Sequence, residues 1–195
     1  MNIGASVHAI LANVTKHIDL TVSEKDYFTN LLTLQQVPRK TLILNEGDIC
    51  DAINYIYRGA FRAYYRDRDG NESVVMFGID DWWITDMFSF AMKAPAMLHI
   101  ESIEQSTILV LKKDALDQLF IDVPKFERFF RIILQNSYIR EQLRTVQNLS
   151  MDARQRYEYF TGKYPQQVQR IPQKYIASYL GITPEFLSTI RKRRS

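Results

Sequence analysis

The chain has 195 residues and a single cysteine, Cys50. One thiol makes no internal disulfide and falls short of the several thiolates that an iron–sulfur cluster needs, so a reducing, cytoplasmic setting is expected. Histidine is scarce as well: His8, His17 and His99 are scattered without metal-ligand spacing, and neither zinc nor haem is expected. No long hydrophobic run is present. The most apolar region, Val74–Leu98, is interrupted by Asp80, Asp81, Asp86 and Lys93, and Met1–Asn13 lacks the basic-then-apolar order of a signal peptide. Neither a membrane span nor secretion is expected. Also missing are a Gly-x-Ser-x-Gly elbow, a phosphate loop, a paired His–carboxylate cluster and a Cys–His arrangement. An enzyme is therefore not expected. Asp80 and Asp81 read as turn residues rather than metal ligands.

What is present is ordinary in bulk and uneven in distribution. A composition of 46% hydrophobic and 24% charged residues is that of a folded globular chain, and the length allows one large domain or two modest ones. The net charge of +3 argues little by itself. From Ser150 onward, however, nine Lys and Arg face three Asp and Glu, so that section carries +6 and the preceding part −3. A basic section on an acidic body points to a polyanionic partner for that section alone.

The hydrophobic period changes twice along the chain. His8 to Leu34 reads as a helical preface, with Ile10, Leu11, Val14 and Ile18 at helical spacing and a restart at Thr21-Val22-Ser23-Glu24. From Gln36 to Lys112 short β-rich runs follow one another: Thr41–Leu44, Ala52–Tyr57, Phe61–Tyr65, Ser73–Phe77, His99–Ile103 and Thr107–Leu111. Turn residues separate several of them, and many short strands at close spacing indicate a roll or barrel. Asp69-Gly70 predicts a hairpin, because glycine tolerates the positive φ of such a turn; Arg62 and Arg66 are expected on its solvated face. After Lys113 the period is helical again. Pro124 suits the first turn of a long helix reaching about Leu149. Phe126, Phe129, Ile132, Ile133, Ile139, Leu143 and Val146 trace a stripe along it, expected to pair with a second copy of the chain. Packing of the same stripe on its own β-domain stays open. Ser150 is the expected N-cap of a helix Met151–Thr161, which Gly162 and Pro165 would end.

The most specific signal lies between Ile171 and Arg193. Tyr175, Ile176, Tyr179 and Leu180 give one short helix an apolar face, Gly181 permits the left-handed residue that ends it, and small Ala177 allows a second helix to approach. Thr183 is an N-cap and Pro184 a first helical residue, so a second helix buries Leu187 and Ile190. Its other side presents Glu185, Ser188, Thr189, Arg191, Lys192 and Arg193. A helix with a polar head and a cationic end suits the major groove, where early turns reach base edges and basic side chains neutralise phosphates. This is a helix-turn-helix.

With these residues in place, the chain resembles the Crp/Fnr regulators. The likeness rests on Leu44-Asn45-Glu46-Gly47-Asp48, Tyr55-Ile56-Tyr57-Arg58-Gly59, Asp69-Gly70, Arg154-Gln155-Arg156-Tyr157 and the Ile176–Arg191 motif. It implies an α+β architecture: an antiparallel β-roll of the cyclic-nucleotide-binding type with flanking helices over residues 1–123, a central dimerisation helix over 124–149, and a helix-turn-helix domain over 150–195. It further implies double-stranded DNA, a second copy of the chain and RNA polymerase as partners, and places Glu185 where a carboxylate accepts from a cytosine amino group. Family members often continue into a β-wing after the recognition helix, whereas this sequence stops at Ser195.

The ligand cassette departs from the family pattern. Where nucleotide binders carry a Gly-Glu pair, this chain has Thr85-Asp86 after Trp82-Trp83. Ala96 falls near the position of the phosphate-binding arginine, and the only nearby cation is Lys93. An unpaired phosphate is costly to desolvate, so no cofactor and no cyclic AMP or cyclic GMP are expected. Trp82, Trp83, Thr85, Asp86 and Met97 are the residues available to line a pocket for some other ligand, although aromatic and methionine side chains there also suit plain core. A signalling or scaffold protein that uses the roll for protein or small-ligand contacts, without DNA, is the alternative.

Overall fold

The computed structural model describes residues 3–192. Two helices lead in, α1 (Ile3–Thr15) and α2 (Val22–Asn30). The restart at Thr21 is a capping box: its side chain accepts from the Glu24 N–H, and the Glu24 carboxylate accepts from the Thr21 N–H. The helical preface ends earlier than its period suggested. Leu32–Val37 is a strand, β1, held by antiparallel pairing with a partner from the far end of the roll.

The other strands are β2 (Leu42–Leu44), β3 (Ala52–Arg58), β4 (Ala60–Arg66), β5 (Glu72–Ile79), β6 (Trp82–Ile84), β7 (His99–Ser102) and β8 (Ser106–Lys112). Between the sixth and seventh lies a short helix, α3 (Met87–Met92). The strands form two antiparallel four-stranded sheets, ordered β1-β8-β3-β6 and β2-β7-β4-β5. The chain crosses from one sheet to the other at Gly59. Its φ is +126°, and a Cβ built there would lie 2.0 Å from Ser106 Oγ, so only glycine fits. The sheets close over Tyr55, Ile56, Phe61, Ile84, Ile100, Ile108 and Leu109. One side of this core is sealed by Ile10 and Val14 of α1 and Phe28 of α2.

α4 (Lys113–Asp122) leads into the long α5 (Lys125–Ser150). Phe126, Phe129 and Phe130 pin the start of α5 to the roll: Phe126 lies against Phe28, and Phe129 and Phe130 meet Trp83 edge-on. The chain then continues as α6 (Ala153–Lys163), α7 (Pro165–Arg170), α8 (Gln173–Leu180) and α9 (Pro184–Lys192). Ser150 is not a cap but the last residue of α5, its hydroxyl donating back to the Val146 carbonyl. The N-cap of α6 is Asp152, which forms a reciprocal box with Gln155. Gly162 sits inside α6 without breaking it, and Pro165 opens α7 at its first turn.

Candidate nucleic-acid interface

Helices α8 and α9 form the expected pair. Gly181 ends α8 at φ +68°, and the Ile182 N–H closes the turn on the Ala177 carbonyl. Thr183 Oγ1 accepts from the Phe186 N–H and so caps α9. Ile176, Ala177 and Leu180 of α8 and Leu187 and Ile190 of α9 are buried together with Tyr157 and Phe160 of α6. Thr183, Glu185, Ser188, Thr189, Arg191 and Lys192 are all exposed. Phe186 is exposed as well. The Thr189 hydroxyl donates to the Glu185 carbonyl one turn back, which holds that side chain along the helix. Arg193 lies outside the described residues.

This helical unit is seated on the roll. α8 lies along β5: Ser178 Oγ accepts from the Val74 N–H (2.9 Å) and donates to the Glu72 carbonyl (2.8 Å), satisfying a strand edge. Val74, Phe77 and Ile79 of β5 share one apolar cluster with Ile176, Leu180 and Leu187. Arg170 bridges to Asp80 (2.9 Å) and to Glu104. Asp80 also accepts from the Gly59 N–H, so the turn that switches sheets and the last turn of α7 share one carboxylate.

Arg62 overturns the solvated-face expectation. It is only 3% exposed. Its guanidinium pairs with Glu72 (2.5 Å) and Glu101 (2.8 Å) and lies between the rings of Tyr64 (3.9 Å) and Tyr175 (4.0 Å). Because Tyr175 belongs to α8, that helix covers a strand face that would otherwise be wet. Burial alone would raise the Glu72 carboxyl, but hydrogen bonds from Arg62 and Arg66 outweigh it and hold the group below its ordinary value. Burial pushes the Tyr179 phenol, on the same helix, up to about 12.

Beyond its anchored first turns, α5 projects with its apolar side uncovered. Tyr138, Ile139, Leu143, Val146 and Leu149 are exposed, whereas Phe129 is buried and Ile132 half-buried. The stripe thus divides into a part packed on its own roll and a part left open.

Residues 34–122 match the family model of the cyclic nucleotide-binding domain. Among solved structures, FixK2 of Bradyrhizobium japonicum superposes with a TM-score of 0.74 at 15% identity, over 83% of each chain. The c-di-GMP-responsive global regulator CLP of Xanthomonas campestris gives 0.72 at 16% identity, over 89% of this chain and 91% of that one. A protein of Eubacterium rectale assigned to the Crp/Fnr family gives 0.68 at 15% identity, over 90% of this chain and 83% of that one. The chain has a Crp/Fnr-like fold. No curated protein sequence matches it.

The five residues offered for a roll pocket do not face one space. Trp82 looks onto the cleft beside α5, under Arg140 and against Tyr164. Trp83 lies under α5 and donates its Nε1–H to Asn13. The Thr85 hydroxyl donates to the Ala52 carbonyl and touches Cys50 Sγ. Asp86 is 2% exposed; it caps α3 through the Ser89 N–H and accepts the Met97 and Leu98 N–H groups through its other oxygen. Met97 is exposed. Ala96 is buried, its N–H and carbonyl joined to Asp48 and Gly47. The Thr85–Leu98 segment is thereby stitched to the turn before β3. The strand β6 is not readable from the local sequence because it is held by pairing with β3, whereas the Asp86 cap of α3 through Ser89 is a local signal that sequence reasoning missed.

Among the described residues no helix is long and apolar enough to cross a membrane, and no group of three or more His, Cys, Asp and Glu is placed to hold a metal ion.

Proposed function

We propose that the chain is a DNA-binding transcription regulator of the Crp/Fnr type, acting in the cytoplasm as a homodimer on a two-fold symmetric operator. The observation that carries this reading is the division of α9. Leu187 and Ile190 anchor it in the domain core, while Thr183, Glu185, Ser188, Thr189, Arg191 and Lys192 stay exposed. The helix has a capped N-terminus and a basic end, the disposition that lets early side chains meet base edges while cations meet phosphates. The +6 charge of the section from Ser150 on supplies the long-range attraction. On this reading residues 1–123 form the sensor-like roll, 124–149 the dimer helix and 150–195 the DNA-binding domain; RNA polymerase is the downstream partner.

Support for the dimer comes from Ile139, Leu143 and Val146, which lie open on a helix between the two units. A second copy of the same stripe covers them in a two-fold arrangement. The regulator does not respond to cyclic AMP. Asp86 spends its oxygens on three backbone N–H groups, and Ala96 is buried against Gly47 and Asp48. No guanidinium stands where the family places one, and a desolvated phosphate there has no counter-charge.

Electrophoretic mobility shifts with DNA from upstream of the gene test the reading. Binding should weaken steeply with salt. Glu185→Ala should cost about 1–3 kcal/mol at one base position and relax the preference there, while Lys192→Ala lowers affinity for all sequences and reduces the salt slope by about 1. Negligible, equal binding to every duplex refutes DNA recognition. Calorimetric detection of micromolar cyclic AMP or cyclic GMP binding refutes the exclusion of those nucleotides.

A further inference from the structure

A cleft at the junction of the units gathers positive charge without matching it. Its walls come from β5 and β6, from α5, and from α6 to α8, and it encloses about 50 Å³. Arg140, Arg144, Arg156 and Lys163 line it, with Glu141 as the one acid among its lining residues. Glu141 is 3.7 Å from Arg144 at its nearest and half-exposed. Among the described residues, Arg140, Arg156 and Lys163 have no carboxylate within ion-pair distance.

The hydrogen bonds of the three arginines go instead to neutral acceptors, and Lys163 lies over the Tyr159 ring. Arg144 donates to the Val74, Val75 and Tyr179 carbonyls, Arg156 to the Met151 carbonyl and Arg140 to Ser137 Oγ. Carbonyl dipoles fix a guanidinium in place but leave its charge uncompensated. Arg144 lies over Tyr179 (4.1 Å) and Arg140 over Trp82 (5.0 Å), so ring faces hold both side chains on the cleft walls. The Nε atoms of Arg144 and Arg156 are buried and have no partner in the protein. A buried donor left unpaired costs free energy, and cations held together repel one another. The repulsion falls when an anion enters.

We propose that this cleft is a binding site for a small phosphate-bearing ligand. A phosphoryl group offers several acceptors to convergent guanidiniums, which favour it over a monodentate carboxylate. The enclosed volume accepts a phosphoryl group, with the remainder of an ester lying in the open mouth beside the ring of Trp82. Because the cleft walls belong to the roll, the long helix and the helix-turn-helix unit at once, occupancy ties the three together; only this regulatory consequence rests on the DNA-binding reading, whereas the binding itself does not.

The test uses the full chain, titrated by calorimetry and by tryptophan fluorescence with adenosine monophosphate and separately with inorganic pyrophosphate, at constant ionic strength set with sodium chloride. Saturable binding is expected. The double variant Arg140→Gln/Lys163→Gln, at partly exposed positions, should fold as the parent does and bind about tenfold more weakly, as loss of charge-assisted hydrogen bonds requires. Arg154→Gln removes the same kind of charge on the outer side of α6, where Arg154 pairs with Glu158, and should leave binding unchanged. Tighter binding of the nucleotide assigns part of the recognition to the ring walls, and equal binding assigns it to the phosphate alone; both keep the site. The proposal is overturned when neither anion binds more tightly than chloride, when Arg154→Gln weakens binding as much as the double variant, or when the double variant impairs only DNA binding.

Discussion

Replacing Arg62 by methionine tests how firmly the helical unit is seated on the roll. Methionine keeps much of the stem but removes a charge that is 4% exposed at the side chain, so solvent screening reduces its interactions little. Two carboxylates lose a partner. Glu72, about one-third exposed, retains Arg66 at 3.0 Å and is only partly orphaned. Glu101, 16% exposed, has Arg62 as its ion-pair partner and is left largely covered with its charge unpaired. Removing one member of a buried pair costs about 3–5 kcal/mol; the retained Arg66 contact places the expected loss near the lower end, about 3 kcal/mol. The rings of Tyr64 and Tyr175 lose the cation between them, which adds to the loss. Urea unfolding followed by tryptophan fluorescence at neutral pH measures the difference.

The pH dependence supplies a second readout. The folded Glu72 carboxyl lies below its ordinary 4.5 because Arg62 and Arg66 overcome the effect of burial. A depressed carboxyl contributes stability that is present above the unfolded value and lost as pH falls through the folded one. The gap between parent and Arg62→Met is therefore widest above about 4.5 and narrows in acid. Proteolysis in the Met151–Asp152 connection should also quicken, since Tyr175 of α8 is released from the strand. A variant within about 1 kcal/mol of the parent at neutral pH, with an unchanged acid profile, would refute the argument, because a buried pair cannot be broken so cheaply.

Gly59→Ala should destabilise by about 2–4 kcal/mol, from a Cβ driven into Ser106 and from the strained positive φ; a melting temperature like the parent's would show that the sheet crossing gives way. Asp86→Ala should cost about 2–3 kcal/mol by stranding the Ser89, Met97 and Leu98 N–H groups, and faster amide exchange confined to Met87–Leu98 would be its signature. Ile139→Glu with Val146→Glu, at exposed positions on α5, should leave the subunit folded and convert a dimer to a monomer in sedimentation; an unaltered mass would remove the stripe from the interface.

Much of the local structure was legible because its causes are local. The Thr21–Glu24 box, the Asp69-Gly70 turn, Pro124 at the start of α5, and the Gly181 and Thr183 caps depend on residues within a turn of one another. Ser150 misled because two capping residues stand two positions apart, and Asp152 prevails by closing a box with Gln155 while the Ser150 hydroxyl turns back into α5. Gly162 misled because one glycine weakens a helix without ending it.

The charge asymmetry, the roll of short strands and the two-helix motif followed from the amino-acid order by itself, since period and cap chemistry act over a few residues. Only the tertiary structure decided which strand faces are dry. Alternation places Arg62 on one side of β4, but α8 must fold back from the end of the chain before that side is buried. It likewise brings Arg140, Arg144, Arg156 and Lys163 into one cleft with Trp82 and Tyr179. These are meetings between residues distant in sequence, and the period of a single segment carries no information about what will pack against it.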